Sequence, residues 1–545
     1  MGLISWRLLA RNFEWDIYPD ISPEVGMNSY YKISHAQEIV FKDIESKKPV
    51  YITPYLLGGI TTNYEHNADL TKLVSSEKYK TEAGLDLKYS VTSNLTLDAT
   101  VNTDFAQVEA DNQEINLSRF SLFYPEKRKF FQERASSFEM NFSGYNQVFY
   151  SRRIGIHNNE QVRIYGGARL VGRTGGWDIG FLNMQTEETN DLTSENLGVL
   201  RLRRQVLNEN SNLGIITTTR LGADGNYNVV YGFDGTIKLF GEDYFKFAVA
   251  QSAENDVNND PASMDPTRIY LNFQRRSIAG FSYLVEGSHV GETYNPGLGF
   301  EDRDNYKSLN VKLKYAWFPD EKSKFFQHQT SVRSLIIFNN ATGELESAQY
   351  GPKWYFATKS GLTGHIMPRI NYENVYDTLN IDEKTFIPNK QYDFFDLYLY
   401  LCTSDSNPYQ IYSTIKYGNF YDGDRFSSNL TLRGNVSKHF EFETTYKYNY
   451  VQFSNRNQNF ENHIGRLRAL IMLNTKFSLS SFVQYNSANE SVSSNVRFRY
   501  NPAEGHDLYV VYNQSSLTDN HPIANINPDN KFWTVMLKYN YTFKF

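Results

Sequence analysis

The sequence contains almost no cysteine, no long apolar run and no strong excess of charge. The single cysteine, Cys402, excludes an intramolecular disulfide framework and a cysteine-based zinc site. No segment approaches the roughly 18 consecutive apolar residues of a transmembrane helix. A formal net charge of −6 gives no electrostatic basis for nucleic-acid binding, which usually requires a basic surface. Disulfide scaffolds, helical membrane proteins and nucleic-acid-binding proteins are therefore not expected.

Motifs of common enzymes are also missing. No His-Glu-x-x-His, Gly-x-Ser-x-Gly or phosphate-binding-loop pattern occurs in the 545 residues. Acidic residues such as Glu441 and Glu443 fit the polar face of a strand better than the spaced carboxylate pair of a glycosidase. Cys402 fits a small packing residue better than a nucleophile. We therefore expect no enzymatic activity, no catalytic residues and no cofactor.

Aromatic residues, by contrast, are abundant. The 40 Tyr, 38 Phe and 6 Trp make up 15% of the chain, although hydrophobic residues reach only 40%. Every odd position from Trp533 to Phe545 is apolar or aromatic, and the even positions between them are mostly polar. Similar alternation runs through 226–240, 303–318 and 438–453. Because successive side chains on a strand point to opposite faces, these segments predict strands with one apolar and one polar face.

Segments of this kind recur about 24 times between residues 49 and 545, with a range of 22–26 because boundaries carry errors of about 2–4 residues. Short links such as 92–93 and 241–242 alternate with longer ones such as 293–303 and 377–390. An even strand count and alternating link lengths are typical of outer-membrane barrels. We predict an all-β fold, a large transmembrane antiparallel β-barrel. The alternative, a soluble β-protein, would use Val, Ile and Leu where Tyr and Phe dominate here.

The two ends of the chain support an exported barrel with periplasmic termini. The final strand carries aromatic residues that we expect to signal to the barrel-assembly machinery: Tyr539, Tyr541, Phe543 and Phe545. Residues 1–48 have weak strand character and are expected to form a linker, a partial plug or an additional hairpin. They lack the features of a signal peptide, so we expect that a leader was removed or lies upstream. The expected location is the outer membrane of a Gram-negative bacterium, in contact with its lipid.

One long segment, 109–160, interrupts the alternation. It is dense in charge and in aromatic residues and shows no sustained strand pattern. A connection of this length is usually functional or disordered, and its aromatic content argues against disorder. We predict an insert that folds into or over the barrel lumen. The alternative is a subdomain outside the barrel.

The run NTDFAQVEADNQEINLSRFSLFYPEKRKFFQERASSF, followed by FYSRRIG, resembles the signature of a family of outer-membrane barrel domains of unassigned function. The matching residues include Asp104, Phe105, Gln107, Val108, Glu109, Ala110, Asp111, Asn116, Leu117, Phe120, Phe123, Pro125, Glu126, Lys127, Arg128, Phe130, Phe131, Tyr150, Ser151, Arg152, Arg153, Ile154 and Gly155. In that family the barrel usually follows a periplasmic domain that resembles family-nine carbohydrate-binding modules. The present sequence departs from this pattern: because it begins at the leading segment of the barrel, we expect that it does not include this domain. Any hydrolase activity would depend on it.

The charged residues of this motif suggest two roles. Asp104, Glu109 and Asp111 supply carboxylate oxygens that a hard cation such as calcium could bind, but they lack the spacing of an EF-hand, and we predict no metal site. The alternative is pairing with basic residues of the same segment. Further candidates for the insert and the lumen are Glu126, Lys127, Arg128, Arg152 and Arg153, which would pin the insert to the wall or line a selective constriction.

Two functions remain open at this stage. The first is a plugged or gated channel, or another transport component, with a glycan-related solute as the candidate ligand. A barrel of more than about 20 strands has a wide lumen that is normally blocked. The second is a non-conducting anchor or assembly platform for a carbohydrate-binding-like domain or for periplasmic or surface partner proteins. The sequence does not identify a solute.

Overall fold

Twenty-four antiparallel strands close into one barrel within the part of the chain that the computed structural model describes. The described residues are 2–9, 14–21, 31, 33–42, 48–66, 73–103, 111–158, 160–518 and 531–545. The first twelve strands are β1 Val50–His66, β2 Leu73–Thr92, β3 Leu95–Thr103, β4 Ile164–Thr174, β5 Trp177–Thr186, β6 Glu195–Gln205, β7 Asn212–Gly222, β8 Tyr227–Phe240, β9 Asp243–Glu254, β10 Thr267–Arg275, β11 Gly280–Val290 and β12 Tyr306–Trp317. The other twelve are β13 Phe325–Asn339, β14 Leu345–Thr358, β15 Thr363–Asn374, β16 Gln391–Cys402, β17 Tyr409–Phe420, β18 Gly423–Ser437, β19 Phe440–Phe453, β20 Gln458–Met472, β21 Phe477–Asn486, β22 Ser491–Ala503, β23 His506–Leu517 and β24 Phe532–Tyr541. The predicted fold class and the count of about 24 strands are confirmed.

The barrel closes by pairing its last strand with its first. Strand β24 runs antiparallel to β1, with Val535 opposite Ile60, and Phe543–Lys544 continues the pairing beyond Thr542. No helix among the described residues is long and apolar enough to cross a membrane. Of the four aromatic residues of the expected assembly signal, Tyr539 and Tyr541 lie in β24, and Phe543 and Phe545 follow it. Tyr539, Phe543 and Phe545 are exposed. Their role in assembly stays a prediction.

Apolar side chains cover the outer face of the barrel. On most strands, the exposed large apolar side chains lie at alternate positions. Examples are Phe181, Ile215, Leu313 and Leu537. The side chains at the positions between them point to the lumen, because residues alternate between the two faces of a sheet. An outer apolar surface of this kind fits membrane lipid, and the alternation predicted from the sequence accounts for it.

The two ends of the barrel differ in the length of their links. At one end, here called the short-turn rim, β2–β3, β4–β5 and β8–β9 are joined by two residues each. At the other end, the long-loop rim, the links include 104–163, 291–305 and 375–390. Both ends of the barrel chain, at Val50 and Phe545, lie at the short-turn rim, where their backbones exchange hydrogen bonds.

The described part of the N-terminal segment forms small sheets separate from the barrel. Ser5–Leu9 pairs with Glu14–Tyr18, and Gly2–Leu3 pairs with Gln37–Glu38. Neither pair joins the barrel sheet in the described chain. The role of residues 1–48 as a linker or partial plug stays a prediction.

Candidate functional site between the insert and the barrel wall

The insert folds as irregular chain with short helical turns. Its described part, 111–158, contains the helix α1 Lys129–Gln132 and the 3-10 turns Ala135–Phe138 and Ser151–Arg153. Gln147 forms a bridge to Phe300 in the loop between β11 and β12. The insert therefore owes its order to packing against the barrel rather than to regular secondary structure.

Residues 129–155 form an apolar block, here called the anchor. Its buried apolar side chains are Phe131, Phe138, Met140, Phe142, Val148 and Ile154. They share one hydrophobic core with inward-facing residues of β4 to β9, namely Val171, Leu182, Met184, Leu197, Val199, Ile216, Val230, Ala248 and Ala250. Burial of apolar surface contributes about 25 cal/mol per Å², so this core stabilises the contact between insert and wall.

Arg169 of β4 ties the anchor to the wall through polar contacts. Its guanidinium pairs with Asp98 at 2.7 Å and donates hydrogen bonds to the carbonyl oxygens of Phe130 and Glu133. Both members of the ion pair are buried. A buried arginine with several acceptors holds its partners firmly because each lost bond would leave a desolvated charge.

Residues 111–120 form a second, polar unit, here called the arm. Glu114 accepts hydrogen bonds from Lys447 of β19 and, at 3.0 Å, from Arg466 of β20. The side chain of Gln484 on β21 bonds the backbone of Asp111 and of Gln113. All three wall residues occupy strand positions whose side chains point to the lumen. The arm is thus held to the wall mainly by charge and hydrogen bonds.

The far end of the arm is held at the long-loop rim. Arg119 pairs with Glu346 at the start of β14 at 2.7 Å and with Glu373 at the end of β15 at 3.4 Å. Ile115 and Leu117 add apolar contacts to a second cluster near this rim. Arg119 thus joins the arm to two neighbouring strands.

Glu126 and its partner Arg128 link two stretches of the insert, residues 126–128 and residues 151–154. Its carboxylate accepts hydrogen bonds from Arg128 at 2.7 Å and from the Ser151 hydroxyl at 2.6 Å. Arg128 also donates to the Ile154 carbonyl at 2.7 Å. Burial alone would raise the pKa of Glu126, but the hydrogen bonds and charge of Arg128 outweigh it and hold that pKa below its ordinary value of 4.5.

This shift predicts acid release of the insert. Because the folded pKa of Glu126 is lowered, the carboxylate stabilises the insert above its ordinary pKa, and this contribution is lost as pH falls through the folded pKa. Glu126→Gln should weaken the packing of the insert by roughly 3 kcal/mol at neutral pH and flatten this acid transition. Hydrogen exchange of insert amides between pH 3 and 7 measures both effects. The matched control is Glu139→Gln, because Glu139 is an exposed residue of the insert. If the exchange rates of the insert amides depended on pH in the same way in both variants, the prediction would be wrong.

The structure brings three charged motif residues together. Asp111 pairs with Arg152 at 2.5 Å and with Lys127 at 3.6 Å. Asp104 and Glu109 lie outside the described residues. Among those described, no group of three or more His, Cys, Asp or Glu side chains is placed to hold a metal ion. The arrangement of Asp111 corresponds to the ion-pairing alternative, while the function of these pairs stays a prediction.

Arg153 points to the long-loop rim rather than to the acidic motif. It donates to the Gly299 carbonyl at 3.1 Å and lines a cavity of about 600 Å³ with Glu195, Arg220 and Glu254. Burial lowers the pKa of Arg153 from its ordinary value. This cavity opens where the insert, the loop 291–305 and the barrel wall meet.

A second polar cavity, of about 360 Å³, lies against the arm. Its lining includes Asn112 and Glu114 from the arm and Glu443, Lys447 and Arg468 from the wall. Glu443 is paired with Arg433 at 2.6 Å and with Arg468 at 3.0 Å. The arm therefore forms one side of a charged, water-accessible space inside the barrel.

Most of the residues that join the insert to the wall were not candidates from the sequence. Glu114, Arg119, Arg169 and Arg466 join the insert to strands far away in the chain. Glu114 and Lys447 are separated by 333 positions. The alternating pattern assigned Arg169 and Arg466 to strands, but it did not indicate which insert residues they contact.

Comparison with known proteins identifies a family. The family described as "Domain of unknown function (DUF5916)" matches residues 50–545. The chain belongs to this family. The match covers the whole barrel with its insert, in agreement with the resemblance seen in the motif. No curated protein shows significant similarity to the chain.

Solved structures that resemble the chain are large barrels. The siderophore receptor PirA from Pseudomonas aeruginosa is 9% identical, with 90% of this chain and 80% of that chain covered and a TM-score of 0.40. The ferric yersiniabactin uptake receptor FyuA from Yersinia pestis is 9% identical, with coverages of 90% and 80% and a TM-score of 0.39. The copper transporter OprC is 8% identical, with coverages of 91% and 80% and a TM-score of 0.35.

Proposed function

We propose that the protein is a plugged outer-membrane channel in which the insert obstructs the lumen and the arm is the movable part. The observation that carries this proposal is the distribution of contacts. Insert residues bond or pair with inward-facing side chains on widely separated strands: Arg169 on β4, Lys246 on β9, Glu346 on β14, Lys447 on β19, Arg466 on β20 and Gln484 on β21. A segment that meets the inner wall at so many points around its circumference crosses the lumen.

The depth of these contacts supports the same proposal. Arg119 of the arm meets β14 and β15 at the long-loop rim. Arg134 donates to the Val171 carbonyl and, at 3.4 Å, to the Asn94 carbonyl in a turn of the short-turn rim. The insert thus extends through most of the barrel depth. A barrel of this strand number needs such an obstruction because its open lumen would breach the membrane.

The arm and the anchor suit different roles. Displacing the anchor would expose apolar side chains of both insert and wall to water, which is costly over its whole area. Displacing the arm would expose Glu114, Lys447 and Arg466, and water solvates such charges well. We therefore assign gating to the arm and permanent obstruction to the anchor. The cavity against the arm would become part of the open path.

The orientation follows from the rims. We infer that the short-turn rim and both ends of the barrel face the periplasm of a Gram-negative bacterium, because outer-membrane barrels carry short turns on that side. The long-loop rim with its 600 Å³ cavity would then receive solute from outside. Recognition of a glycan-related solute and docking of periplasmic or surface partners stay proposals. We propose no enzymatic activity.

A second function, a non-conducting platform, is favoured by one observation. The anchor core is continuous with the wall and contains residues such as Met140 and Val148 that are almost completely buried. Packing of this kind resembles a protein interior and does not require a moving part. In this case the filled barrel would only anchor other domains or partners.

Reversing the two arm charges tests the channel. Glu114→Lys with Arg119→Glu should produce transient openings in planar bilayers, because both ends of the arm would face like charges on the wall. The unaltered protein should stay closed. The control is Glu383→Lys with Lys384→Glu, an exposed pair that also leaves net charge unchanged. A silent, correctly folded variant would rule out the arm as a gate.

A further inference from the structure

Four basic side chains cluster on the inner wall of three adjacent strands. Lys312 on β12 lies directly opposite Arg333 on β13. In the next row of the same face, Ser331 on β13 lies between Lys314 of β12 and Lys353 of β14. Their outward-facing neighbours Leu313, Val332 and Trp354 are exposed apolar residues, so the four cations face the lumen. We call them the basic wall cluster.

This cluster differs from most other inward-facing cations because it has no acidic partner. Within the described chain, none of its members has a carboxylate oxygen within 4.0 Å. Elsewhere on the wall, Arg201 pairs with Asp234, and Arg369 and Arg425 share Asp396. The electrostatic neighbours of Lys312, Lys314 and Lys353 within the cluster are cations and therefore repel them.

The hydrogen bonds of the cluster do not compensate its charge. Lys314 donates to the Ser277 carbonyl at 3.2 Å, and Arg333 donates to Asn310 at 2.9 Å. Asn310 in turn donates to Glu286, which also accepts from Tyr270. Glu286 is thus engaged by other donors and reaches the cluster only through an amide.

Like charges placed directly opposite on neighbouring strands destabilise a sheet. A lumenal wall that contains this arrangement is stabilised when an anion lies between the cations. Ammonium and guanidinium groups are the donors that proteins use for phosphate and carboxylate oxygens. The side chains are half-buried or exposed on the lumenal face, and within the described chain no hydrogen bond joins them to the insert. An incoming ligand can therefore reach them.

We propose that the basic wall cluster is a binding site for multivalent oxyanions, that is, solutes with phosphate or carboxylate groups. The proposal rests on the proposed channel function in that it names the chemical class of its solute. Because the cations face the lumen, the ligand would come from solution rather than from the bilayer. A single oxyanion with two charged ends would span the two rows of cations.

Equilibrium binding of pyrophosphate to the purified full chain tests the site. Isothermal titration calorimetry at low ionic strength should detect binding of pyrophosphate to the unaltered protein. This binding should weaken when sodium chloride is added, because salt screens the charges. Combining Lys312→Gln, Arg333→Gln and Lys353→Gln should weaken binding by at least about ten-fold, because hydrogen bonds to charged groups are lost. The control removes three exposed turn lysines, by Lys322→Gln, Lys438→Gln and Lys476→Gln, and should bind normally.

Thermal unfolding supplies an independent measurement. Pyrophosphate should raise the unfolding temperature of the unaltered protein and of the control but not of the triple wall variant. Lys353→Gln alone replaces the triple variant if the latter does not fold. No binding to the unaltered protein, or equal binding by wall and control variants, would overturn the proposal. Since binding is measured without conductance, a silent barrel that binds pyrophosphate would count against the channel and not against this site.

Discussion

Replacing residues 109–160 by a short Gly-Ser linker is expected to turn a silent barrel into a large, steady pore. The insert meets the inner wall from Arg169 on β4 to Gln484 on β21, so its removal would open a lumen bounded by 24 strands. Single-channel recordings in planar bilayers measure the change directly. In cells, the same deletion should increase sensitivity to bulky antibiotics that a closed barrel excludes.

A second deletion variant is needed because removing the insert exposes apolar side chains of the barrel wall. Inward-facing residues that the anchor covers would meet water, and the barrel would lose stability. Adding Leu182→Gln, Val199→Thr and Ile216→Thr makes this wall wettable while the strands stay intact. Heat-modifiable gel mobility reports whether each variant folds. Silence in both folded deletion variants would contradict the plug and favour the platform.

Gly180→Val is expected to detach the anchor without unfolding the barrel. Gly180 lies on the inward face of β5, and a Cβ there would stand 2.6 Å from the Ser137 carbonyl oxygen and 3.1 Å from the Phe138 ring. Both obstacles belong to the insert, so the insert must shift. Overpacking of this kind typically costs about 1–3 kcal/mol. Limited proteolysis should then cleave the insert at Lys127 or Lys129 faster than it does in the unaltered protein.

Gly465→Val is the matched control for this substitution. Gly465 lies on the outward face of β20, and nothing stands within 4 Å of a Cβ built there. The same side chain is therefore added to a barrel strand without touching the insert. The control should keep the insert protected. Equal protease sensitivity of the two variants would mean that the effect comes from the strand and not from the contact between Gly180 and the insert.

The strands could be predicted because their signal is local. A period of two along 10 to 15 residues suffices to assign Tyr306–Trp317 or Phe440–Phe453 to the barrel. Boundaries differ by a few residues: the segment predicted as 303–318 is the strand Tyr306–Trp317 in the structure. The length of the insert and the pairing of its charges were also accessible to prediction, because acidic and basic runs lie within one segment.

The inner face of three strands carries a sequence signal of the anchor. On strands β6 to β8, inward-facing Val199, Ile216 and Val230 are apolar like their outward neighbours, whereas an inner wall in contact with water should be polar. Apolar residues on both faces predict a wall that another segment covers. The later strands, such as β19, keep a polar inner face.

The sequence by itself determined an all-β membrane barrel, its strand count and the position of one long insert. These features depend on the alternation of neighbouring residues, which each strand displays without reference to the others. Only the tertiary structure decided which wall residues meet the insert and which cations remain without acids. Barrel closure and stagger bring Glu114 to Lys447 and Lys312 to Arg333, and both depend on the register of strands across the whole sheet.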